Sequence, residues 1–323
     1  MIKKKVFITG GAGFIGSRIA KRFVDEGYEV FIFDTFKHYM LPNPHETPHN
    51  LLIRLRDFFD QIHLVQGDTL NKDYLRRTLN RIKPDIIVHM AALPLAAVAI
   101  EQTEDCFESI LNSTVNIMEI MRDFDHHCQL VYASSSMIYG NFEGESVVET
   151  DNKDPKDIYG SIKLAGEIIV RGYVKRYEID ARIVRPTAVY GPYDGNQRVM
   201  YKFITKGLRG EKVTIDGDGS FMLDFTYVDE TAEGIYLIAT KPDIKGEAFN
   251  VARGHARSLR ELVDIVGEHI PNLNVEYGPP PAHVPKRGTL DITKAKELLG
   301  FEPQYDLEDK VGDYVEHLKQ NEI

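Results

Sequence analysis

The sequence contains little cysteine, no long apolar run and no excess of positive charge. Only Cys106 and Cys128 occur in 323 residues, and their spacing matches no metal-binding motif. Two cysteines exclude a disulfide framework and favour a reducing compartment. The apolar run after the basic start ends within three residues, so we expect no signal peptide. No window approaches the roughly 18 apolar residues of a membrane span. These absences predict a cytoplasmic protein without a membrane partner.

The charge balance argues against one class of ligand. There are 49 acidic and 39 basic residues, and the formal net charge is −10. Proteins bind nucleic acids largely by neutralising phosphates with Lys and Arg. We therefore expect no nucleic-acid partner. The hydrophobic fraction of 43% is typical of a globular protein that buries a substantial core.

Short apolar runs alternate with longer amphipathic segments over the first half of the chain. The predicted strands are Val6–Thr9, Val30–Phe33, His63–Gln66, Asp85–His89, Leu130–Ala133 and Ala181–Val184. The predicted helices are Phe14–Glu26, Asn71–Ile82, Thr103–Phe124 and Ile158–Tyr177. This alternation predicts an α/β fold with a doubly wound parallel sheet of the Rossmann type.

The second half of the chain has a less regular sequence pattern. After Arg185, proline and glycine become frequent and the elements shorten. We expect a Rossmann domain over residues 1–185 and a smaller, less regular lobe over 186–323, with some segments returning to the sheet. Residues 37–50 are predicted to form a loop insertion. A metal site built from its His38, His45 and His49 is a weaker hypothesis, because interleaved prolines suit an exposed loop better, and we expect no metal.

A glycine-rich turn follows the first predicted strand. Gly10, Gly13 and Gly16 form the pattern G-x-x-G-x-x-G where a helix begins. Such a turn lets a pyrophosphate approach backbone N–H groups at the positive end of the helix. Asp34 ends the second strand about twenty residues on, where a carboxylate accepts hydrogen bonds from a ribose and repels a 2′-phosphate. The arrangement predicts NAD binding. The alternative is a glycine turn of another α/β protein with Asp34 as a cap.

Further cofactor contacts are predicted at the ends of later strands. Asp68 could reach the adenine amino group or cap the following helix. Small residues after His89 leave room for a ligand, whereas His89 itself is expected to be structural. The remaining predicted cofactor contacts are Phe14, Ile15, Thr69, Ala91, Ala92, Lys163 and Pro186.

Tyr159 and Lys163 lie four residues apart in a predicted helix and therefore share one face. A neighbouring ammonium is expected to lower the pKa of a tyrosine from its usual value near 10 and to make it a usable base. Ser134, Ser135 and Ser136 follow a predicted strand at the sheet edge where open α/β sheets bind ligands. A hydroxyl there can hydrogen-bond a substrate oxygen.

These motifs resemble the extended short-chain dehydrogenase/reductases, the nucleotide-sugar epimerase/dehydratase group, over nearly the whole chain. Besides those already described, the carriers of the resemblance are Tyr139-Gly140, Arg185-Pro186, Val189–Pro192, Asp224–Glu230, Phe249–Val251 and Asp291–Lys296.

The resemblance implies roles for individual residues. Tyr159 would be the general acid/base, Ser135 the catalytic hydroxyl, and Lys163 would hold the nicotinamide ribose while tuning Tyr159. The second-half lobe would bind a nucleotide diphosphate and its sugar. Helices 103–124 and 158–177 would form a homodimer interface. The expected substrate contacts are Ser135, Ser136, Tyr159, Ala188, Arg198 and Arg287.

The chain departs from the family pattern at the substrate end. Dehydratases of the group carry an acidic residue shortly after the catalytic hydroxyl, but Ser136, Met137 and Ile138 stand there, which disfavours dehydration and weakens a decarboxylase interpretation. Leu223 replaces a phosphate-binding arginine and Ala188 an asparagine. At a third position, members of the family have an asparagine that faces the site, whereas this chain has Ile110, with Asn112 nearby. Arginines that could compensate are Arg198, Arg253, Arg257 and Arg287; otherwise the substrate is not an ordinary nucleotide sugar.

The leading hypothesis is an NAD-dependent nucleotide-sugar epimerase that acts at C4 through a transient keto intermediate. One alternative is an NAD-dependent dehydrogenase or ketoreductase with net redox change, on a nucleotide sugar or a smaller polyol-like substrate. A second alternative is a non-catalytic, NAD-sensing member of the fold.

Overall fold

The computed structural model describes residues 3–36, 53–93, 96–279 and 285–321. The strands are β1 Lys5–Thr9, β2 Glu29–Asp34, β3 Ile62–Gln66, β4 Ile86–His89, β5 Gln129–Ala133, β6 Ser146–Val147, β7 Asp180–Pro186, β8 Val189–Tyr190, β9 Val213–Ile215, β10 Met222–Leu223, β11 Thr226–Tyr227, β12 Ala248–Val251, β13 Arg257–Ser258, β14 Val275–Tyr277 and β15 Thr289–Leu290. The α-helices are α1 Phe14–Asp25, α2 Lys72–Ile82, α3 Ala96–Glu101, α4 Thr103–Phe107, α5 Ser113–Arg122, α6 Ile158–Tyr177, α7 Val199–Leu208, α8 Val228–Thr240, α9 Leu259–His269, α10 Thr293–Leu299 and α11 Leu307–Asn321.

Seven parallel strands form the central sheet, in the order β12-β7-β5-β4-β1-β2-β3. The chain moves outward from β1 through β2 to β3 and then crosses back to β4, which pairs with the other side of β1. The strand order therefore reverses between β1 and β4, and open sheets of this kind bind ligands outside the carboxyl ends of the strands at that point. The predicted doubly wound α/β fold is confirmed.

Both faces of the sheet are covered. Val6 and Ile8 of β1 pack into an apolar cluster that includes Ile19 of α1 and Ile235 of α8. Phe7 points to the opposite face and packs with residues of α2, α5 and α6. Alternate strand residues face opposite sides, so burial on both faces accounts for the uninterrupted apolar runs of the sequence.

The second half of the chain contributes to the sheet and also builds a core of its own. Its strand β12 pairs with β7, and its helix α8 packs on α1. A separate apolar cluster joins residues of α7, α9, α11, β9 and β14, among them Met200, Leu262, Val311 and Tyr314. This cluster forms the wall of the molecule that faces the carboxyl ends of the strands.

The helix predicted over Thr103–Phe124 is interrupted. A π-helical turn, Glu108–Asn112, separates α4 from α5. The predicted loop over 37–50, with its three histidines, lies outside the described residues. Among the described residues, no His, Cys, Asp and Glu side chains are grouped as metal ligands. In this same part of the chain, no helix combines the length and the apolar character needed to cross a membrane.

Candidate active site

One cleft of about 560 Å³ runs along the carboxyl ends of the strands, between the sheet and the second-half core. The residues predicted as catalytic, cofactor-binding or substrate-contacting all line it, whereas two of the arginines considered as compensating cations do not. The predicted residues in the lining are Gly10, Gly13, Phe14, Ile15, Gly16, Asp34, Asp68, Thr69, Ala91, Ala92, Ser135, Ser136, Tyr159, Lys163, Pro186, Ala188, Arg198 and Arg287. The fold therefore brings together residues that are spread over most of the chain.

The glycine-rich turn has no space for side chains. Gly10 has a φ of +67°, and a Cβ on it would lie 2.9 Å from the backbone nitrogen of Ala91. A Cβ on Gly16 would lie 2.2 Å from the carbonyl oxygen of Gly10. Gly13 is the N-cap of α1, and no described side chain caps this helix end. The first-turn residues Phe14 and Ile15 line the cleft, so the positive end of the helix faces it.

Asp34 stands at the end of β2 beside this turn. Its Oδ2 accepts a hydrogen bond from the Ala12 N–H at 3.0 Å, and its Oδ1 accepts one from the Phe36 N–H at 2.9 Å. Burial raises the pKa of Asp34, whereas these N–H groups and the nearby Arg54 guanidinium act in the opposite direction. The backbone thus fixes the orientation of the carboxylate at the cleft surface. Asp68 is not a helix cap, since Asn71 caps α2.

The predicted catalytic side chains meet where β5 ends and α6 begins. Asp157 caps α6 by accepting a hydrogen bond from the Gly160 N–H at 2.7 Å. This start places Tyr159 in the first turn of the helix, near Ser135, and both side chains line the cleft. Lys163, one turn later, donates to the carbonyl of Ala133 at 2.7 Å, and its Nζ lies 5.8 Å from the centre of the Tyr159 ring.

A buried arginine, Arg185, links the elements that carry Ser135 and Tyr159. Arg185 of β7 donates to both carboxylate oxygens of Glu167, at 2.9 and 2.7 Å, and to the Tyr139 hydroxyl at 2.8 Å. Glu167 lies on the helix that carries Tyr159, and Tyr139 ends the short 3₁₀ turn that follows Ser135. The network therefore holds the two elements of the hydroxyl pair in one relative position.

The pKa of Tyr159 does not shift in the direction predicted from the spacing. Burial raises it to about 12, although the charge of Arg198 and the hydroxyl of Ser135 oppose the shift. Burial also lowers the pKa of Lys163 to about 8, so the lysine is still mainly protonated at neutral pH. The expected lowering of the Tyr159 pKa is thus wrong in its net direction, because desolvation of the phenolate outweighs the neighbouring positive charge.

Comparisons with known proteins agree with this geometry. The sequence profile of the NAD dependent epimerase/dehydratase family matches residues 6–252. The chain belongs to this family. It is 29% identical to the UDP-glucose 4-epimerase of Mycolicibacterium smegmatis, over 98% of both chains. It is 30% identical to a putative UDP-glucose 4-epimerase of Methanocaldococcus jannaschii, over 98% of this chain and 99% of the relative.

Solved structures lead to the same family. The fold superimposes with a TM-score of 0.89 and 25% identity on the UDP-glucuronic acid 4-epimerase of Bacillus cereus, which was solved with UDP-glucuronic acid and NAD. That match covers 98% of this chain and 99% of the other. The chain is thus an extended short-chain dehydrogenase/reductase that depends on NAD, as predicted from its motifs.

The substrate end of this family member differs in character from the cofactor end. Its surface toward the second-half core is largely apolar, with Phe221, Leu223 and Phe225 in the lining. Arg287 is buried, donates to the Ser136 carbonyl at 3.0 Å and also donates to the Ser136 hydroxyl. Burial lowers its pKa to about 10, so it remains a cation at neutral pH. This cation lies beside Ser136 and next to the predicted catalytic hydroxyl of Ser135.

Two of the four arginines expected to compensate for Leu223 are engaged elsewhere. Arg253 forms an ion pair with Asp306 at 2.8 Å, and Arg257 pairs with Glu308 at 2.7 Å and with Glu261. Neither is among the described residues that line the cleft. Arg198 lines it and is paired with Asp194 at 2.6 Å. Arg198 and Arg287 therefore remain as candidates.

Three of the cleft residues that were not predicted carry polar side chains of interest: Arg54, Ser109 and Asp194. Arg54 and Asp194 lie in segments without regular periodicity, and the fold alone brings them to the cleft. Ser109 enters through the π-helical turn and accepts a hydrogen bond from the Leu93 N–H at 3.1 Å. Ile110, by contrast, is buried in an apolar cluster. The site-facing position of this helix is therefore Ser109 and not Ile110 or Asn112.

Proposed function

We propose that this chain is a nucleotide-sugar 4-epimerase that keeps its NAD bound. The observation that carries the proposal is that Tyr159, Ser135 and Lys163 meet in the same cleft as the glycine-rich turn, with the Nζ of Lys163 5.8 Å from the centre of the Tyr159 ring. Relatives of similar length are named UDP-glucose 4-epimerases, which supports a UDP-sugar as the substrate.

The residues present fit NAD. Gly10, Gly13 and Gly16 leave backbone N–H groups of α1 open to a pyrophosphate, and Asp34 presents a carboxylate suited to the adenosine ribose. The buried hydroxyl of Ser134 lines the cleft and has no hydrogen-bond partner among the described residues, so it has capacity for a ligand. When bound, NAD supplies the acceptor and donor of hydride at the sugar carbon.

The side chains of Tyr159 and Ser135 would carry out the proton transfer. Tyr159 takes the proton of the sugar hydroxyl at the carbon that becomes a ketone, and Ser135 hydrogen-bonds the same oxygen. Tyr159 accepts this proton as a phenolate and becomes a neutral phenol; the ammonium of Lys163 stabilises the phenolate beforehand, which offsets part of the desolvation cost. After the keto sugar has turned its other face to the cofactor, Tyr159 returns the proton to the oxygen.

The acidic residues of the cleft favour epimerisation over dehydration. Elimination of water needs a carboxylate near the catalytic hydroxyl, to act as an acid. Among the described residues, the carboxylates in the lining are Asp34, Asp68 and Asp194. Asp34 stands by the glycine-rich turn, Asp68 follows β3, and Asp194 is paired with Arg198. None of the three follows Ser135 in the turn.

A second candidate is a dehydrogenase or ketoreductase with net redox change on a smaller substrate. The apolar lining at Phe221, Leu223 and Phe225 favours it, because these side chains cannot pair with a diphosphate. The same Tyr159 and Ser135 would serve that reaction.

One experiment separates the two. The bound nucleotide is released from purified protein by denaturation and identified by mass spectrometry, and refilled enzyme is incubated with UDP-glucose or UDP-glucuronic acid and only catalytic NAD. Proton NMR should detect the C4 epimer while absorbance at 340 nm stays flat. NADH that accumulates in step with substrate loss would instead establish the dehydrogenase.

We also propose a homodimer through α4–α5 and α6. Exposed apolar side chains lie along these helices: Phe107 is 45% exposed, Ile158 44% and Ile168 63%. Light scattering should find a dimer in the wild type and a monomer in Ile168→Asp. Leu298→Asp, at an exposed leucine of α10, is the matched control and should remain dimeric.

A cytoplasmic location is proposed as well. Cys106 and Cys128 are both buried and unpaired, as is usual for proteins of reducing compartments. Fractionation of cells that express the protein at native level tests this location.

A further inference from the structure

The segment that follows β8 reaches over the glycine-rich turn and is joined to it by Arg54. The Nε and Nη2 atoms of Arg54 donate to the Tyr193 carbonyl at 3.0 and 2.7 Å. Its Nη1 lies 3.5 Å from the carbonyl oxygen of Ala12, inside the glycine-rich turn. One guanidinium therefore bridges the two sides of the cleft at its cofactor end.

Tyr193 is held from a second side. Its ring packs edge-on against His317 of α11, with 4.3 Å between the ring centres, and Arg18 of α1 lies 5.8 Å from the centre of the Tyr193 ring. Tyr193 has a φ of +71°, a conformation that costs a non-glycine residue free energy and persists only where surrounding contacts impose it. The carbonyl that Arg54 binds is thus presented by a constrained residue.

The same segment continues along the cleft toward the catalytic pair. Asp194, next to Tyr193, is buried and accepts hydrogen bonds from Arg198 at 2.6 Å and from the Asn196 N–H at 3.2 Å. Arg198 lies 5.8 Å from the centre of the Phe14 ring, at the start of α1. Two arginines, Arg54 and Arg198, therefore connect this segment to the region where the dinucleotide phosphates are expected.

We infer that the bridge from Ala12 through Arg54 to Tyr193, here called the Arg54 clasp, controls the exchange of the dinucleotide. A ligand held between the glycine-rich turn and the segment after β8 cannot leave past this rim until the clasp opens. Arg54 is thus a positioning residue that acts on cofactor retention and not on the chemical step. The inference rests on the proposed function, since an epimerase must keep NAD through both hydride transfers, whereas a net dehydrogenase must exchange it.

The kinetic signature of a clasp differs from that of a direct ligand. A contact that forms across the cleft with or without the cofactor slows entry and exit alike. Its removal should raise both the association and the dissociation rate constants while Kd changes little. A residue that binds the cofactor directly would, when removed, raise the dissociation rate constant alone and raise Kd by the same factor.

The test uses Arg54→Met, which keeps the aliphatic length and removes the hydrogen bonds. NADH is the probe, because its reduced nicotinamide is fluorescent when excited at wavelengths where protein side chains do not absorb. Stopped-flow mixing of emptied protein with NADH gives the association rate, and a chase of bound NADH with excess NAD gives the dissociation rate. Both should increase on the order of tenfold or more, as expected for lost hydrogen bonds to a charged group, with Kd within about threefold.

The controls guard against a folding defect. Arg56 is exposed and pairs with the adjacent Asp57, so Arg56→Met should leave both rate constants unchanged. Arg54→Lys can donate to a single carbonyl and should give intermediate rates, and thermal melts should show that all variants are folded. Unchanged rates in Arg54→Met, or a rise in the dissociation rate constant alone, overturn the inference. Because no readout requires turnover, the result is independent of whether the epimerase proposal is correct.

Discussion

The two ends of the cleft are built on different principles. At the predicted cofactor end, the groups that face the cleft include backbone atoms of the glycine-rich turn and the carboxylate of Asp34, whose orientation Ala12 and Phe36 fix. At the substrate end, the lining is apolar around Leu223, and the cations are bonded to other groups of the chain, Arg198 to Asp194 and Arg287 to Ser136. The first end suits one cofactor. At the substrate end, selection of the substrate would depend mainly on the shape of the cleft and on Arg198 and Arg287, which are already bonded to other groups of the chain.

The largest expected effect lies between the two ends, at Tyr159. Tyr159→Phe removes the proton-transferring hydroxyl and should lower kcat by about 10²- to 10⁴-fold, while NADH binding stays unchanged. Coupled NMR and fluorescence titration check both quantities. Tyr177→Phe, at an exposed tyrosine of the same helix, serves as control and should retain full activity. A Tyr159→Phe enzyme with wild-type kcat would remove the assigned role and favour a non-catalytic member of the fold.

A smaller but still large effect is expected at the cofactor end. In Gly16→Ala the new Cβ would lie 2.2 Å from the carbonyl oxygen of Gly10, so the turn must move. Displaced N–H groups lose hydrogen bonds of about 1.5–3 kcal/mol each to the charged pyrophosphate, which predicts roughly hundredfold weaker NAD binding by calorimetry.

Gly172→Ala provides the matched control for that substitution. Gly172 lies in α6, and no described atom outside its own stretch of helix comes within 4 Å of the position that a Cβ would occupy. Alanine should therefore stabilise the helix by about 0.5–1 kcal/mol and leave NAD binding unchanged. Equal NAD affinity in Gly16→Ala and the wild type would contradict the view that backbone groups hold the cofactor.

The contrast between the two ends also explains what the sequence could predict. The glycine-rich turn, Asp34 and the helix Ile158–Tyr177 each depend on short-range patterns, and the structure has that helix with the predicted bounds. Arg54 and Asp194 reach the cleft through contacts between distant segments, which no local pattern encodes. Ser109 lies in a π-helical turn and lines the cleft, whereas Ile110, the position that the family resemblance implied, is buried in an apolar cluster.

The pKa of Tyr159 shows a related limit. The four-residue spacing in the sequence correctly places Lys163 near the Tyr159 ring. It carries no information on how deeply the two side chains are buried. Desolvation outweighs the charges and raises the pKa to about 12. The sequence thus predicts which groups meet, whereas the balance between their energies requires the packed structure.

The substrate end can be sharpened by restoring a cation. Leu223→Arg should tighten the binding of a nucleoside diphosphate by roughly tenfold if a diphosphate passes over this strand, because a charge-assisted hydrogen bond is added. Met222→Arg is the control, since neighbouring strand residues face opposite sides and Met222 is not among the described residues that line the cleft. Titration of UDP by calorimetry measures both. Equal affinities in the two variants would favour a substrate without a diphosphate.

The smallest expected effect concerns Lys163, whose pKa burial lowers to about 8. A lysine is charged below its pKa, so its help to the Tyr159 phenolate is present at pH 7 and is lost as the pH rises through 8. In Lys163→Arg the charge persists, because the guanidinium pKa lies above 12. The ratio of wild-type to Lys163→Arg kcat/KM should therefore fall about twofold from pH 7 to pH 8. Taking the ratio cancels the titration of Tyr159 itself, which both enzymes share. A ratio that stays constant up to pH 9 would show that Lys163 keeps its proton throughout, and that its environment in the cleft is more polar than its burial indicates.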